Sequence, residues 1–145
     1  MAKQLKTQIL INAIPQKVWQ VLTNFNEYPN WNPFIKELTG DVRVGCNIKV
    51  RLQPEGQKGM VFKPKVLSFD VNKRFSWQGH LFMPGIFDGV HIFELVDNGN
   101  GTTTFIQREN FKGILVPFLA KMLDGATKQG FEAMNQKLKD RVEAN

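Results

Sequence analysis

One cysteine, two histidines and one tyrosine among 145 residues leave few groups for covalent, metal or redox chemistry. A lone Cys46 excludes an intrachain disulfide and a thiolate metal cluster. Two His and no dense group of carboxylates are a poor ligand set for zinc, so neither a metal nor a cofactor is expected. No Gly-rich phosphate loop follows a strand, and no hydroxyl nucleophile has a His and an acid beside it in the sequence. No apolar run approaches the roughly 20 residues that span a membrane. The first residues, Met1-Ala2-Lys3-Gln4, lack the apolar core of a signal peptide, and the expected location is the cytoplasm. No basic run exceeds two residues, so the net charge of +6 reads as a solvated surface without a specific nucleic-acid partner. Transient contact with a membrane surface stays open, as does the choice between monomer and homodimer.

What is present is aromatic: twelve Phe and three Trp, with few hydroxyl handles. That balance implies a large apolar interior. The length suits one domain spanning residues 1–145. Alternation predicts strands over residues 4–12, 34–40, 47–53, 60–69, 74–82, 86–96 and 103–111. Pro64 marks a bulge or an edge in the fourth of these. Pro15 opens a short amphipathic helix through Thr23 that buries Val18, Trp19 and Leu22. The turn-rich segment from Asn24 to Pro33 carries Phe25, Tyr28 and Trp31, which either anchor it to the core or rim a ligand entrance. The stretch from Leu115 to Val142 is long enough for a helix of six or seven turns, with Pro117 in its first turn. Leu115, Leu119, Met122, Ala126, Gly130, Ala133 and Leu138 run down one side, widened by Phe118, Leu123 and Met134. Gly125 and Gly130 inside it are either merely tolerated or mark close backbone approach or open room. One helix, an antiparallel meander and a long closing helix make an α+β layout.

Two turns predict register. A three-residue loop with Gly last, read on Met83-Pro84-Gly85, sets Phe82 opposite Ile86, Gly79 opposite Gly89, Trp77 opposite His91 and Phe75 opposite Phe93. The same reading of Gly99-Asn100-Gly101 sets Leu95 opposite Phe105, Phe93 opposite Gln107 and His91 opposite Glu109. Both turns place Phe75, Trp77, Leu81, Phe87, Phe93, Leu95, Phe105 and Phe111 on one face, which should meet the long helix. Gly79 and Gly89 leave a gap in that face, and His91, Gln107 and Glu109 are polar groups within it. Buried polar groups need partners. A His91–Glu109 pair is either satisfied internally or orients a ligand's polar end as a carboxylate, hydroxyl or carbonyl anchor. The expected ligand-binding residues on the strands are Phe62, Phe75, Trp77, Gly79, Phe87, Gly89, His91, Phe93, Phe105, Gln107, Glu109 and Phe111. Phe118, Met122 and Ala126 on the helix and Trp31 in the loop complete the set.

The order of elements resembles the helix-grip fold of the START/Bet v 1-like superfamily. Ile14-Pro15-Gln16-Lys17-Val18-Trp19, Phe25-Asn26-Glu27-Tyr28-Pro29-Asn30-Trp31-Asn32-Pro33-Phe34, Phe75-Ser76-Trp77-Gln78-Gly79, Phe87-Asp88-Gly89-Val90-His91-Ile92-Phe93 and Glu109-Asn110-Phe111-Lys112-Gly113 resemble its polyketide cyclase/dehydrase and lipid-transport type of domain. The resemblance implies a seven-stranded antiparallel sheet wrapped around the C-terminal helix, short helices after strand 1, and an apolar cavity between sheet and long helix. Members bind lipids, polyketides, sterols or hormones; some are cyclases or hydrolases and others co-chaperones, so the fold does not fix the function. Three readings follow. The first is binding or carriage of a hydrophobic small molecule. The second is a cyclase or dehydratase with His91 as general acid or base and Glu109 as its orienting carboxylate. The third is a co-chaperone-like interaction module.

Overall fold

The structure is a computed structural model that describes residues 2–144 apart from Glu55, Gln57 and Phe82. Strand β1 (Ala2–Ile11) leads into helix α1 (Pro15–Leu22), a 3-10 turn (Phe25–Glu27) and a single helical turn, α2 (Tyr28–Trp31). Strands β2 (Ile35–Thr39), β3 (Lys49–Leu52) and β4 (Met60–Phe62) form one antiparallel sheet. Strands β5 (Lys65–Asp70), β6 (Arg74–Leu81), β7 (Phe87–Asp97) and β8 (Thr103–Lys112) join β1 in a second, ordered β1-β8-β7-β6-β5. The chain closes with α3 (Val116–Met122), a π turn (Leu123–Thr127) and α4 (Lys128–Glu143), which run on without a break.

Pro64 explains why the described residues form eight strands where seven were expected. Proline has no N–H for a ladder, so the segment from 60 to 69 divides there. Its first part pairs with β3 and its second with β6. The two sheets stay stitched across the break. Ile48 donates to the Pro64 carbonyl at 2.9 Å, and Gly45 and Val66 donate to Val66 and Cys46 carbonyls, each at 2.9 Å. Counting the divided strand once recovers the seven-stranded grip.

Both hairpin registers agree with the turn chemistry. Phe75 faces Phe93, Trp77 faces His91, and Gly79 faces Gly89. Leu95 faces Phe105, Phe93 faces Gln107, and His91 faces Glu109. The expected opposition of Phe82 and Ile86 lies outside the described residues. Phe75, Phe93 and Phe105 are wholly buried on the face toward α4. Val18, Trp19 and Leu22 of α1 are buried as the amphipathic spacing requires.

The long helix departs from uniform α spacing. A π turn accommodates an extra residue and advances the inward face by about one position. Phe131, Asn135 and Val142 therefore join the expected Gly130, Met134 and Leu138 on the buried row. Ala133, expected on that row, is exposed. Gly130 is there for close approach: a Cβ would overlap the Phe34 ring, whereas a Cβ at Gly125 would meet nothing within 4 Å. Gly113, with φ +131°, turns β8 into α3 where a side chain would strike the Ile86 carbonyl.

Candidate ligand cavity

A cavity of about 330 Å³ lies between the two sheets and the first half of the long helix. Its volume is at the small end of the range for ligand sites. Trp77, Gly79, Leu81, Phe87, Gly89 and His91 face it from β6 and β7, and Glu109 and Phe111 from β8. Phe34, Val50, Leu52, Met60, Phe62 and Pro64 form the opposite wall. Leu119, Met122, Leu123, Ala126 and Thr127 close it from the helix. Phe87 and Phe111 stack at 5.4 Å, holding one side of the wall flat. His80, Pro54 and Lys58 also line it, and both His80 and Lys58 are exposed. The His80 ring nitrogen lies 2.8 Å from Asp88, and this hydrogen bond holds the Asp88 carboxyl below the usual carboxylate range.

Ten of the expected site residues meet on this cavity: Phe62, Trp77, Gly79, Phe87, Gly89, His91, Glu109, Phe111, Met122 and Ala126. Six do not. Phe75, Phe93, Phe105 and Gln107 have the right parity but are buried away from the cavity: Phe75 packs against Trp19 and Phe25, Phe93 stacks on Phe75, and Gln107 bonds to Phe131 and Asn135 of α4. Phe118 is 82% exposed, on the outer side of α3. Trp31 packs edge-on against Tyr28 at 5.3 Å, and its loop is tied to the far end of α4 by Glu27 and Arg141 at 3.0 Å. Fifteen helical residues separate Ala126 from Arg141, about 22 Å. The loop is therefore a core anchor and not an entrance. Tyr28 is fully buried and donates its hydroxyl to the Leu22 carbonyl; burial pushes its phenol well above the ordinary tyrosine value.

His91 is 1% exposed and sandwiched by aromatics: its ring stacks on Phe93 at 4.4 Å and lies 4.9 Å from Phe131. Its Nε2 sits 2.9 Å from Oε1 of Gln107. Gln107 in turn donates through Nε2 to Oδ1 of Asn135 at 2.8 Å and to the Phe131 carbonyl at 3.3 Å. Asn135 donates to the Thr7 hydroxyl at 2.8 Å, and Thr7 donates to the Gln107 carbonyl at 2.9 Å. On its other side, Nδ1 lies 3.3 Å from Oε1 of Glu109, out of line for a hydrogen bond, and has no hydrogen-bond partner among the described residues. The opposed pair is thus close but not internally satisfied; Gln107 is the group that satisfies His91. The gap expected at Gly89 is taken by Glu109, since a Cβ there would collide with Oε2. At Gly79 the gap is real: a Cβ would touch only Pro64, at 3.7 Å.

Asn135 and Thr7 were not singled out from the sequence. The signal was available. Asn135 stands beside Met134 and one turn from Phe131 and Leu138, and Thr7 alternates with Leu5, Ile9 and Ile11.

Exposed apolar side chains gather near the mouth. Met60 and Met122 stand on it, each 44% exposed, and Phe118 lies one turn before Met122. Ile114 is exposed beside the β6–β7 turn, to which it is bound through the Gly85 carbonyl at 3.1 Å.

Known proteins share this architecture. The Zhui aromatase/cyclase of Streptomyces sp. R1128 superposes with a TM-score of 0.79 at 11% identity, covering 99% of this chain and 94% of that one. A norcoclaurine synthase point mutant from Thalictrum flavum gives 0.74 at 15% identity, covering 99% and 96%. A START superfamily protein from Mycobacterium smegmatis gives 0.73 at 21% identity, covering 97% of each chain. At these identities the likeness is one of fold. Among curated proteins compared by sequence, none matches. The family model for polyketide cyclase/dehydrase and lipid transport matches residues 2–143, so the chain belongs to that family.

Proposed function

We propose that this chain, as one ligand-binding unit over residues 1–145, binds and carries a hydrophobic small molecule of lipid-, polyketide- or aromatic-like character. The observation that supports this reading is the apolar cavity left open between sheet and helix while the neighbouring part of the same layer is filled by the protein's own aromatics. Carriage in the cytoplasm, with loading at a membrane surface, fits the exposed apolar side chains at the mouth. Native mass spectrometry of the protein as purified, with extraction of anything bound, tests the reading. Ala126→Trp should fill the cavity, retain the fold and abolish retention of the ligand. Undiminished binding by that variant would move the ligand elsewhere and sink the proposal.

A second reading, an acid–base enzyme of the cyclase or dehydratase kind, draws on the unpartnered Nδ1 of His91 beside Glu109 on the cavity wall. Loss of turnover with retained binding in His91→Ala would favour it. A co-chaperone-like role is less well supported, because the cavity is open.

A further inference from the structure

We infer that the cavity selects a ligand carrying a hydrogen-bond donor, a hydroxyl or an amine, at its buried end, and that Thr7, Asn135 and Gln107 impose this choice by fixing the hydrogens on His91. The inference rests on the reading of the cavity as a small-molecule site.

The order of hydrogens can be followed atom by atom. The Thr7 hydroxyl has one hydrogen, and it goes to the Gln107 backbone carbonyl at 2.9 Å, which can only accept. The Thr7 oxygen must then accept, so the Asn135 atom 2.8 Å away is the NH2 group. Asn135 consequently turns its carbonyl oxygen to Gln107, whose facing atom must be an NH2 nitrogen. The Phe131 carbonyl, 3.3 Å from that nitrogen, demands the same orientation independently. Gln107 is left with its oxygen toward His91, so His91 Nε2 carries the hydrogen. Both ends of the relay are backbone carbonyls, and neither amide can flip without setting two acceptors or two donors against each other.

Of the two neutral tautomers of His91, the relay admits only the one with a bare Nδ1. That nitrogen is buried, has no hydrogen-bond partner among the described residues, and lies 3.3 Å from Oε1 of Glu109. The space above Gly89 is occupied by the Glu109 carboxylate, so two acceptors stand side by side on the wall. A ligand O–H or N–H satisfies them. A ligand carboxylate brings further lone pairs and a like charge, and a ketone brings no hydrogen. The carboxylate or carbonyl anchor anticipated from the sequence is therefore set aside, and the hydroxyl alternative is retained. Gln107, Asn135 and Thr7 do not touch the cavity and act as positioning residues.

Three probes of one shape test this: 2-naphthol, 2-methylnaphthalene and 2-naphthoate, titrated against the full chain by Trp fluorescence. 2-Naphthol should bind about tenfold more tightly than 2-methylnaphthalene, with 2-naphthoate weakest. Glu109→Leu should reduce the advantage of 2-naphthol without abolishing it, because Nδ1 of His91 still accepts, and His91→Leu with Glu109→Leu should abolish it. Nitrogen NMR of the ligand-free protein supplies a readout that needs no variant in the relay. His91, distinguished from His80 by the His80→Gln spectrum, should show a protonated Nε2 and a bare Nδ1. In Gln107→Leu that preference should be lost. Equal affinities for the three probes would keep the cavity but overturn the selection, as would an imidazolium or an Nδ1–H tautomer. Binding of none of them would overturn the carrier reading and this inference together.

Discussion

The layer between sheet and long helix has two ends built from the same strands. At the filled end, Phe75 and Phe93 stack at 4.5 Å and Phe93 and Phe105 at 6.4 Å, Trp19 and Phe25 meet Phe75 edge-on, and Phe131 of α4 packs at the boundary against His91 and Phe34. At the open end, the same β6 and β7 present Gly79 and Gly89, and the helix presents Leu123, Ala126 and Thr127. An aromatic on the inner face is thus core or cavity wall according to what stands opposite. Where the helix offers Phe131, Met134 and Leu138, side chains fill the layer to native density. Where it offers Leu119, Ala126 and Thr127, a volume remains.

The sharpest break of this contrast would be Phe93→Ala against Phe87→Ala. The first removes a wholly buried ring and should cost about 3–5 kcal/mol in denaturant unfolding. The second removes a half-buried ring from the cavity wall and should cost about 1–2 kcal/mol, with weaker ligand binding as its main effect. Equal losses would mean the two ends are packed alike.

Gln107→Leu stands at the boundary between the ends. It strips partners from His91 Nε2 and Asn135 Oδ1, and a loss of about 2 kcal/mol is expected, measured in the same way. The double change His91→Leu with Glu109→Leu removes both acceptors at the wall but leaves the buried Gln107 Oε1 without its donor, and a loss of about 1–3 kcal/mol is expected. Retained stability with unchanged ligand binding in that double variant would leave the cavity working through apolar contact alone.

The two helical glycines sharpen the comparison further. Gly130→Ala should destabilise by about 1–2 kcal/mol, since its methyl group would press on the buried Phe34 ring, which packs edge-on against Phe131. Gly125→Ala should stabilise by about 0.5–1 kcal/mol, since the space beside it is open and alanine is the better helix former. Thermal melts of both variants would show opposite signs; the same sign for both would contradict the packing described.

The smallest effects are those of pH. Tyr28, at the filled end, has a raised pKa when folded, so its contribution is complete below the ordinary tyrosine value of about 10 and is lost as pH rises above it. Asp88, beside the cavity mouth, has a lowered pKa when folded. Its contribution is present above the unfolded carboxylate value of about 4 and is lost as pH falls through the folded value. His80→Gln should reduce the acid-side loss and leave the alkaline-side loss untouched, as read from unfolding free energies across the pH range.

Much of this was legible because the signals were local. Turn chemistry and period-two alternation are properties of neighbouring residues, and they set both hairpin registers correctly from Gly85 and Gly101. The amphipathic face of α1 was readable for the same reason. The strand break was readable at Pro64 as a disruption, but the change of pairing partner there depends on where β3 and β6 lie. Phe118 has the hydropathy of a core residue and yet is exposed, because the outer side of α3 has nothing packed on it.

By itself the sequence determined which residues pair across the central strands and which face of the sheet is aromatic, since both follow from side-chain alternation and turn geometry. It also determined that His91 and Glu109 stand opposite each other. Only the tertiary structure decided which aromatics became core and which became wall. That choice depends on the helix laid across them, and the π turn moved its inward face by about one residue. Tertiary structure likewise decided the partner of His91. Register brings Glu109 close, but the hydrogen bond goes to Gln107, whose orientation is held by Asn135 from α4 and Thr7 from β1. These groups lie far apart along the chain, and only burial in one layer obliges them to satisfy one another.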